Sequence, residues 1–316
     1  MSLSDFREIL KKTALLHLES REAVIASREK NFHQAISRLT HHQRKWYFED
    51  HTIDSLDDLS KGRMLSPDDL EKIQKQHPPY GIFEPGEILV QNSGSTTVKK
   101  QFPFNLDSWY RYVTPAARGL LHANVGPEDR VLTTDIGSTQ AGYRTPEEAA
   151  TWICGSQVIY DRSASLIRKL EHIRDFNITV LISNWKKLSR MAELGPTKWF
   201  SHPLKLIVNT GMPLLDPDYI SRSFGGCQIM DFYGCAEMGN IYFSCTHGHR
   251  HVHEDHVHVI ERDGKSLYNN LSSLPIWNYD LGDKFSYSFK GRCLCGSYLS
   301  TVDHFDTKTY DNIEKG

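Results

Sequence analysis

From Glu87 to Gly211, short apolar runs alternate with longer amphipathic stretches, and this alternation limits the possible folds more than any other feature of the chain. The runs "EILVQN", "DRVLTTDI", "SQVIYD", "ITVLIS" and "LKLIVNTG" have the length of strands. Between them stand "LDSWYRYVTPAARGLLHAN", "EEAATWICG", "SASLIRKLEHIRDF" and "WKKLSRMAEL", which carry apolar residues at helical spacing. Strands interleaved with helices build a parallel or mixed sheet covered by helices, with ligands at the carboxyl ends of the strands. The expected class is α/β, with mixed β-sheets. Upstream, "FREILKKTALLHL" and "AVIASREKNFHQAISRL" are helical in period, and Ser66 and Pro67 with two following acids start a further helix. After Gly225 the texture changes to strand and turn. These shifts divide the chain into a helical segment 1–85 packed on the core, a core 86–300 and a tail 301–316.

Composition excludes several functions. No window holds about eighteen uninterrupted apolar residues, and the amphipathic start carries charges of both signs, unlike a signal peptide, so no membrane span and a cytoplasmic location are expected. A net charge of −2 with interspersed signs gives no field that would gather nucleic acid or an anionic membrane. Any anion site must be local. Six cysteines in 316 residues are too few for a disulfide scaffold, which leaves packed thiols or metal ligands.

Three motifs carry chemistry. "QNSGSTTVKK" gathers hydroxyls around Gly94 and ends in Lys99 and Lys100; it is not a Walker A loop, because Lys99 stands where that pattern needs glycine. Such a loop presents hydroxyls and N–H groups to an anion, or it is a solvated hairpin turn. In "CQIMDFYGCAEMG", a strand runs through Asp231 and Phe232 into Tyr233, Gly234 and Glu237. Tyr233 could stack on a base, Gly234 permits close backbone approach, and Glu237 is a hard oxygen ligand suited to Mg2+; the alternative is a buried tyrosine beside a surface acid. In "PIWNYDLGD", Asp283 could accept from ribose hydroxyls or simply close a turn.

Taken in order, "SGSTTVKK", "FYGCAEMG" and "NYDLGD" resemble the SSGTTGxPK, YGxTE and YRTGD motifs of the adenylate-forming superfamily, in its phenylacetate-CoA ligase-like branch, over about residues 60–300. The resemblance implies the large N-terminal core of such an enzyme. It implies a reaction in which a carboxylate attacks the α-phosphate of ATP to give an acyl-adenylate and pyrophosphate. Ser93, Gly94, Ser95, Thr96 and Lys100 then match the phosphate loop, with Lys100, Thr96 and Glu237 as the catalytic set. Asp231, Phe232, Tyr233 and Gly234 match the adenine side, Glu237 the Mg2+ ligand and Asp283 the ribose acid. "TGMP", with Gly211, Met212 and Pro213, falls where the family has its second adenine segment. Thr97 and Lys99 depart from the family's glycine and proline.

A Cys and His set points the same way. Cys245, His251, Cys293 and Cys295 make a full tetrahedral donor set for Zn2+. "CTHGHRHVHEDH" and "CLCG" resemble the family's Cys before GLHxxEDH and its later CPCG, with "EDH" selecting His251. The expected zinc is structural. His253, His256 and His258 read mostly as solvent-facing or hydrogen-bonded strand side chains, and Cys154, Cys227 and Cys235 as packed thiols. The acid's pocket would draw on Asp135, Thr139, Tyr143, Trp185 and Met212, which suit an aryl, acyl or amino acid.

The resemblance also implies a thiol acceptor, CoA or a carrier protein, and a C-terminal lid domain that the sequence does not reach, which leaves a truncated chain, a lid supplied by a separate lid-domain protein, or a reduced relative; an adenylating core that works with a partner or carrier protein is the expectation. The alternative is a zinc-stabilised relative that binds nucleotide or acyl groups without turnover.

Overall fold

The two most apolar runs become the middle of a sheet. β5 (Val180–Ser183) and β6 (Leu206–Thr210) are buried at every residue, as parallel strands covered on both faces must be. In this computed structural model the described residues are 3–77, 80–92, 100–134, 141–160, 165–199, 202–211, 214 and 216–306. β3 (Val131–Thr133), β4 (Val158–Tyr160), β5, β6 and β7 (Gln228–Cys235) are parallel, in the spatial order 4-3-5-6-7. Four antiparallel strands extend the sheet beyond β7: β8 (Gly239–Ser244), β9 (Arg250–Val252), β14 (Thr301–Asp306) and β13 (Lys284–Ser288). The mixed α/β class is as expected. Residues 301–316 were read as a tail, whereas Thr301–Asp306 is a strand between β9 and β13.

Helices α6 (Ala141–Cys154), α7 (Leu166–Asp175), α8 (Trp185–Glu193) and α9 (Pro217–Ser223) occupy the crossovers between parallel strands. β1 (Ile88–Gln91) and β2 (Gln101–Phe104) pair antiparallel, so the hydroxyl-rich loop joins two hairpin strands. Its residues 93–99 lie outside the described residues. β10 (Val257–Arg262), β11 (Lys265–Asn270) and β12 (Tyr279–Asp280) form a small antiparallel sheet.

The N-terminal helices are α1 (Leu3–Ala14), α2 (Arg21–Arg38), α3 (His41–Phe48) and α4 (Pro67–Gln76). α4 begins as its sequence requires: the Ser66 hydroxyl accepts from the Asp69 N–H at 3.1 Å, and the Asp69 carboxylate accepts from the Ser66 N–H at 3.1 Å. Leu10, Val24 and Phe32 belong to the same apolar core as Val131 and Met230.

Polar ties fix this union. Arg118 of α5 (Leu106–His122) is fully buried and donates two bonds of 2.7 Å to Asp255 and one of 2.9 Å to the Ala14 carbonyl. Burial opposes the Asp255 charge, but the Arg118 guanidinium prevails and holds the carboxyl well below the usual range. Arg21 pairs with Glu254, and Asn31 donates to the Asp255 carbonyl at 2.7 Å. His253 and His256 sit in this interior, at 0% and 6% exposure, rather than facing solvent. Strand alternation fails there because residues 253–256 turn under α2 and α5 instead of continuing β9.

Candidate functional site

The parallel strands aim their carboxyl ends at one region. β6 ends at Thr210, in register with Phe232 of β7, and Gly211 turns away with φ +90°. One strand over, Asn209 donates to the Asp231 carboxylate at 2.6 Å, while burial lifts the Asp231 pKa to about 6. Met212 and Pro213 lie outside the described residues, as do Ser93, Gly94, Ser95, Thr96, Asp135 and Thr139. Trp185 packs on the apolar cluster under α7 and α8.

Past Phe232 the chain bulges between Tyr233 and Gly234. A Cβ on Gly234 would stand 2.1 Å from the Gly239 carbonyl oxygen, so the close neighbour found there is the backbone of β8. Tyr112 of α5 anchors the turn from below, donating to the Ala236 carbonyl at 2.9 Å. Tyr233 is 8% exposed; its ring stacks on Tyr242 at 5.2 Å and meets the edge of Phe305 at 4.5 Å. Its hydroxyl donates to the Asp283 carboxylate. The second and third motifs therefore touch.

Glu237 and Lys100 meet as well. Both are 4% exposed, and the Lys100 ammonium lies 3.2 Å from Glu237 Oε1. Tyr279, 1% exposed, donates its hydroxyl to the same oxygen at 2.9 Å and accepts from Lys100 Nζ at 3.1 Å. Burial, then the Glu237 charge, pushes the Tyr279 pKa far up, so its hydroxyl keeps the proton it donates. Asn270 holds the Glu237 carbonyl at 3.0 Å. Sequence reasoning missed Tyr279, Tyr112 and Asn270. The available signal was alternation in "NYDLGD", which turns Tyr279 inward when Asp280 faces out.

Cys235 is an unpromising acyl acceptor, because burial and then the Glu237 charge raise its thiol pKa well above the ordinary value. Cys154 and Cys227 are buried thiols pushed up to about 12 by the same desolvation.

Cys245, His251, Cys293 and Cys295 converge, with donor atoms all within 4.8 Å of one another. Cys245 and Gly248 form the β8–β9 turn, closed by Cys245 N–H to the His249 carbonyl at 2.9 Å. The other pair lies on a knuckle in which the Gly296 N–H bonds the Cys293 carbonyl at 2.8 Å. His251 presents Nε2 to Cys295 Sγ at 3.2 Å. The neighbouring Cys295 thiol and then His251 lower the Cys245 pKa below the ordinary thiol value, the direction that favours a metal-binding thiolate. Three sulfurs and one imidazole are the donors Zn2+ prefers, and a tetrahedron with bonds of about 2.3 Å has edges of about 3.8 Å. The donor set fits that ion.

The fold is shared with solved CoA ligases and synthetases. Among solved structures it resembles 2-hydroxyisobutyryl-CoA ligase in an open conformation in complex with 2-HIB-AMP and CoA, with a TM-score of 0.72 and 16% identity over 89% of this chain and 68% of that one. The same ligase in its postadenylation state with 2-HIB-AMP gives 0.72 and 16%, over 89% and 66% of the two chains. O-succinylbenzoate coenzyme A synthetase from Bacillus subtilis, in complex with AMP, gives 0.50 and 15%, over 70% and 61%. The chain thus spans about two thirds of the length of the first of these. No protein-family model and no curated protein matches the sequence. Among the described residues no helix is long and apolar enough to cross a membrane.

Proposed function

We propose that the protein activates a small carboxylic acid with ATP, forming an acyl-adenylate and pyrophosphate, and passes the acyl group to a thiol of CoA or a carrier protein. The observation that carries this reading is the meeting of Lys100, Glu237, Tyr233 and Asp283 beside the carboxyl ends of β6 and β7 in this fold. In this reading the carboxylate attacks the α-phosphorus, and the α–β bridging oxygen leaves with pyrophosphate. Lys100 offsets charge on the phosphates together with the hydroxyls of Ser93, Ser95 and Thr96. Tyr233 and Phe232 border the adenine, with Asp231, Gly234 and the segment Gly211, Met212 and Pro213 beside it. Asp283 accepts from the ribose. Glu237 would hold Mg2+, which neutralises phosphate charge when bound. Cys245, His251, Cys293 and Cys295 would hold a structural Zn2+.

A second reading, binding without turnover, is favoured by one observation: Lys100 and Glu237, the residues assigned to the phosphates and Mg2+, are engaged with each other. Exchange of labelled pyrophosphate into ATP, over a panel of aryl, fatty, hydroxy and amino acids, separates the two. Acid-dependent exchange that Glu237→Gln abolishes supports adenylation; nucleotide binding with no exchange for any acid supports the second reading.

A further inference from the structure

We infer that the Lys100 ammonium is a tethered counter-ion which a divalent cation must displace from Glu237, and that Tyr279 is the positioning residue that keeps Glu237 Oε1 aimed through the exchange. This deepens the proposed role of Glu237 and rests on it.

The geometry is unusual for a lysine meant only for phosphate. Lys100 is as buried as its partner, and among the described residues its Nζ meets Glu237 Oε1 at 3.2 Å and the Tyr279 hydroxyl at 3.1 Å. Losing one partner of a buried ion pair leaves the other either an uncompensated ion or forced to change its protonation, and both are costly. A metal that binds Glu237 Oε1 therefore takes the place the ammonium holds, and the cheapest route is for the two cations to trade places. The ammonium that is set free belongs to the residue directly following the hydroxyl-rich segment 93–99, since the Lys100 backbone is fixed at the hairpin by its N–H to Asn92 Oδ1 at 3.1 Å and its carbonyl to the Asn92 N–H at 3.2 Å. With the backbone pinned, only the side chain swings. Arrival of the metal thereby frees the Lys100 ammonium to pair with phosphate, so metal and nucleotide binding are coupled through one side chain.

Tyr279 does not move with it. Its ring is buried, and β12 is held by pairing with β11 at Tyr268 and by the Leu65 N–H to Asn278 carbonyl bond of 3.0 Å. The hydroxyl bond to Glu237 can persist while the lysine leaves, which keeps the carboxylate oriented.

The test measures the factor by which Mg2+ tightens binding of a non-hydrolysable ATP analogue, using the full chain at pH 9. Alkaline pH keeps proton competition for carboxylates at its lowest in every variant. Lys100→Met removes the internal competitor, so the Mg2+ factor should rise severalfold even though analogue binding without metal weakens. Tyr279→Phe keeps the ring and loses the hydroxyl, so the factor should fall severalfold. Opposite shifts support the exchange. A Lys100→Met factor that stays level or falls overturns it, because lysine would then assist the metal rather than compete. Tyr279→Phe alone decides the positioning claim should Lys100→Met fail to fold: an unchanged factor overturns that claim. If the native protein binds the analogue with no Mg2+ dependence, the parent reading of Glu237 fails first, a result distinct from either shift.

Discussion

Tyr233 and Asp283, fifty positions apart in sequence, are joined by a hydrogen bond from phenol to carboxylate. In the proposed reading, the side chains assigned to adenine and to ribose are therefore linked directly to each other. Asp283→Ala should weaken binding of an ATP analogue by about tenfold or more, the worth of a hydrogen bond to a charged acceptor. Tyr233→Phe frees the acid while keeping the ring and should cost less. Calorimetry on both single variants and the double should show losses that do not add; strictly additive losses would mean that the two do not serve one nucleoside.

Metal removal gives a second outcome. About one Zn2+ per chain is expected by elemental analysis, lost in Cys293→Ser and Cys295→Ser. Because the ligands are anchored in a large domain, chelation should raise hydrogen exchange in residues 245–295 and leave the parallel strands protected. Protein purified without chelator and found to contain no metal would remove the site.

Arg118 and Asp255 tie α1 and α5 to the turn at residues 253–256. Arg118→Met leaves a buried carboxylate without its partner and should destabilise the protein by about 3–5 kcal/mol. In denaturant titration the midpoint should fall markedly. A shift below about 1 kcal/mol would show that water replaces the guanidinium.

Acid should act on the same region. Burial lowers the pKa of His256 to about 4 and that of His122 and His258 to about 4, and it lowers His17 and His253 too. A folded pKa below the unfolded value of about 6.5 means that stability is full above that pH and is lost as pH falls toward the folded values. Thermal midpoints should be flat above pH 7 and drop between pH 6.5 and 4. His256→Gln should shrink that drop, because glutamine takes up no proton.

Much of this was legible in the sequence. Periodicity placed β3, β5, β6 and their helices because apolar spacing and burial have one cause. Cys245, His251, Cys293 and Cys295 were chosen from six cysteines and many histidines, and the structure brings these four together. What sequence could not convey is pairing across distance. Lys100 and Tyr279 share Glu237 although 179 residues separate them, and no local pattern marks such a meeting. The burial of His253 and His256 was hidden because it depends on Arg118, a residue of a helix far upstream.

The position of β14 bears on how a sheet edge is guarded. It is later in sequence than both its neighbours, β9 and β13, and it is the strand that links them, beginning with the Val252 N–H to the Ser300 carbonyl at 3.0 Å. β9 and β13 can join one sheet only through residues 301–306, and without that segment the outer edge of β9 has no partner strand among the described residues. Such edges recruit other strands when exposed. A chain ending before Thr301 would therefore present the bare edge of β9 to other strands, and it should aggregate more readily than the full chain.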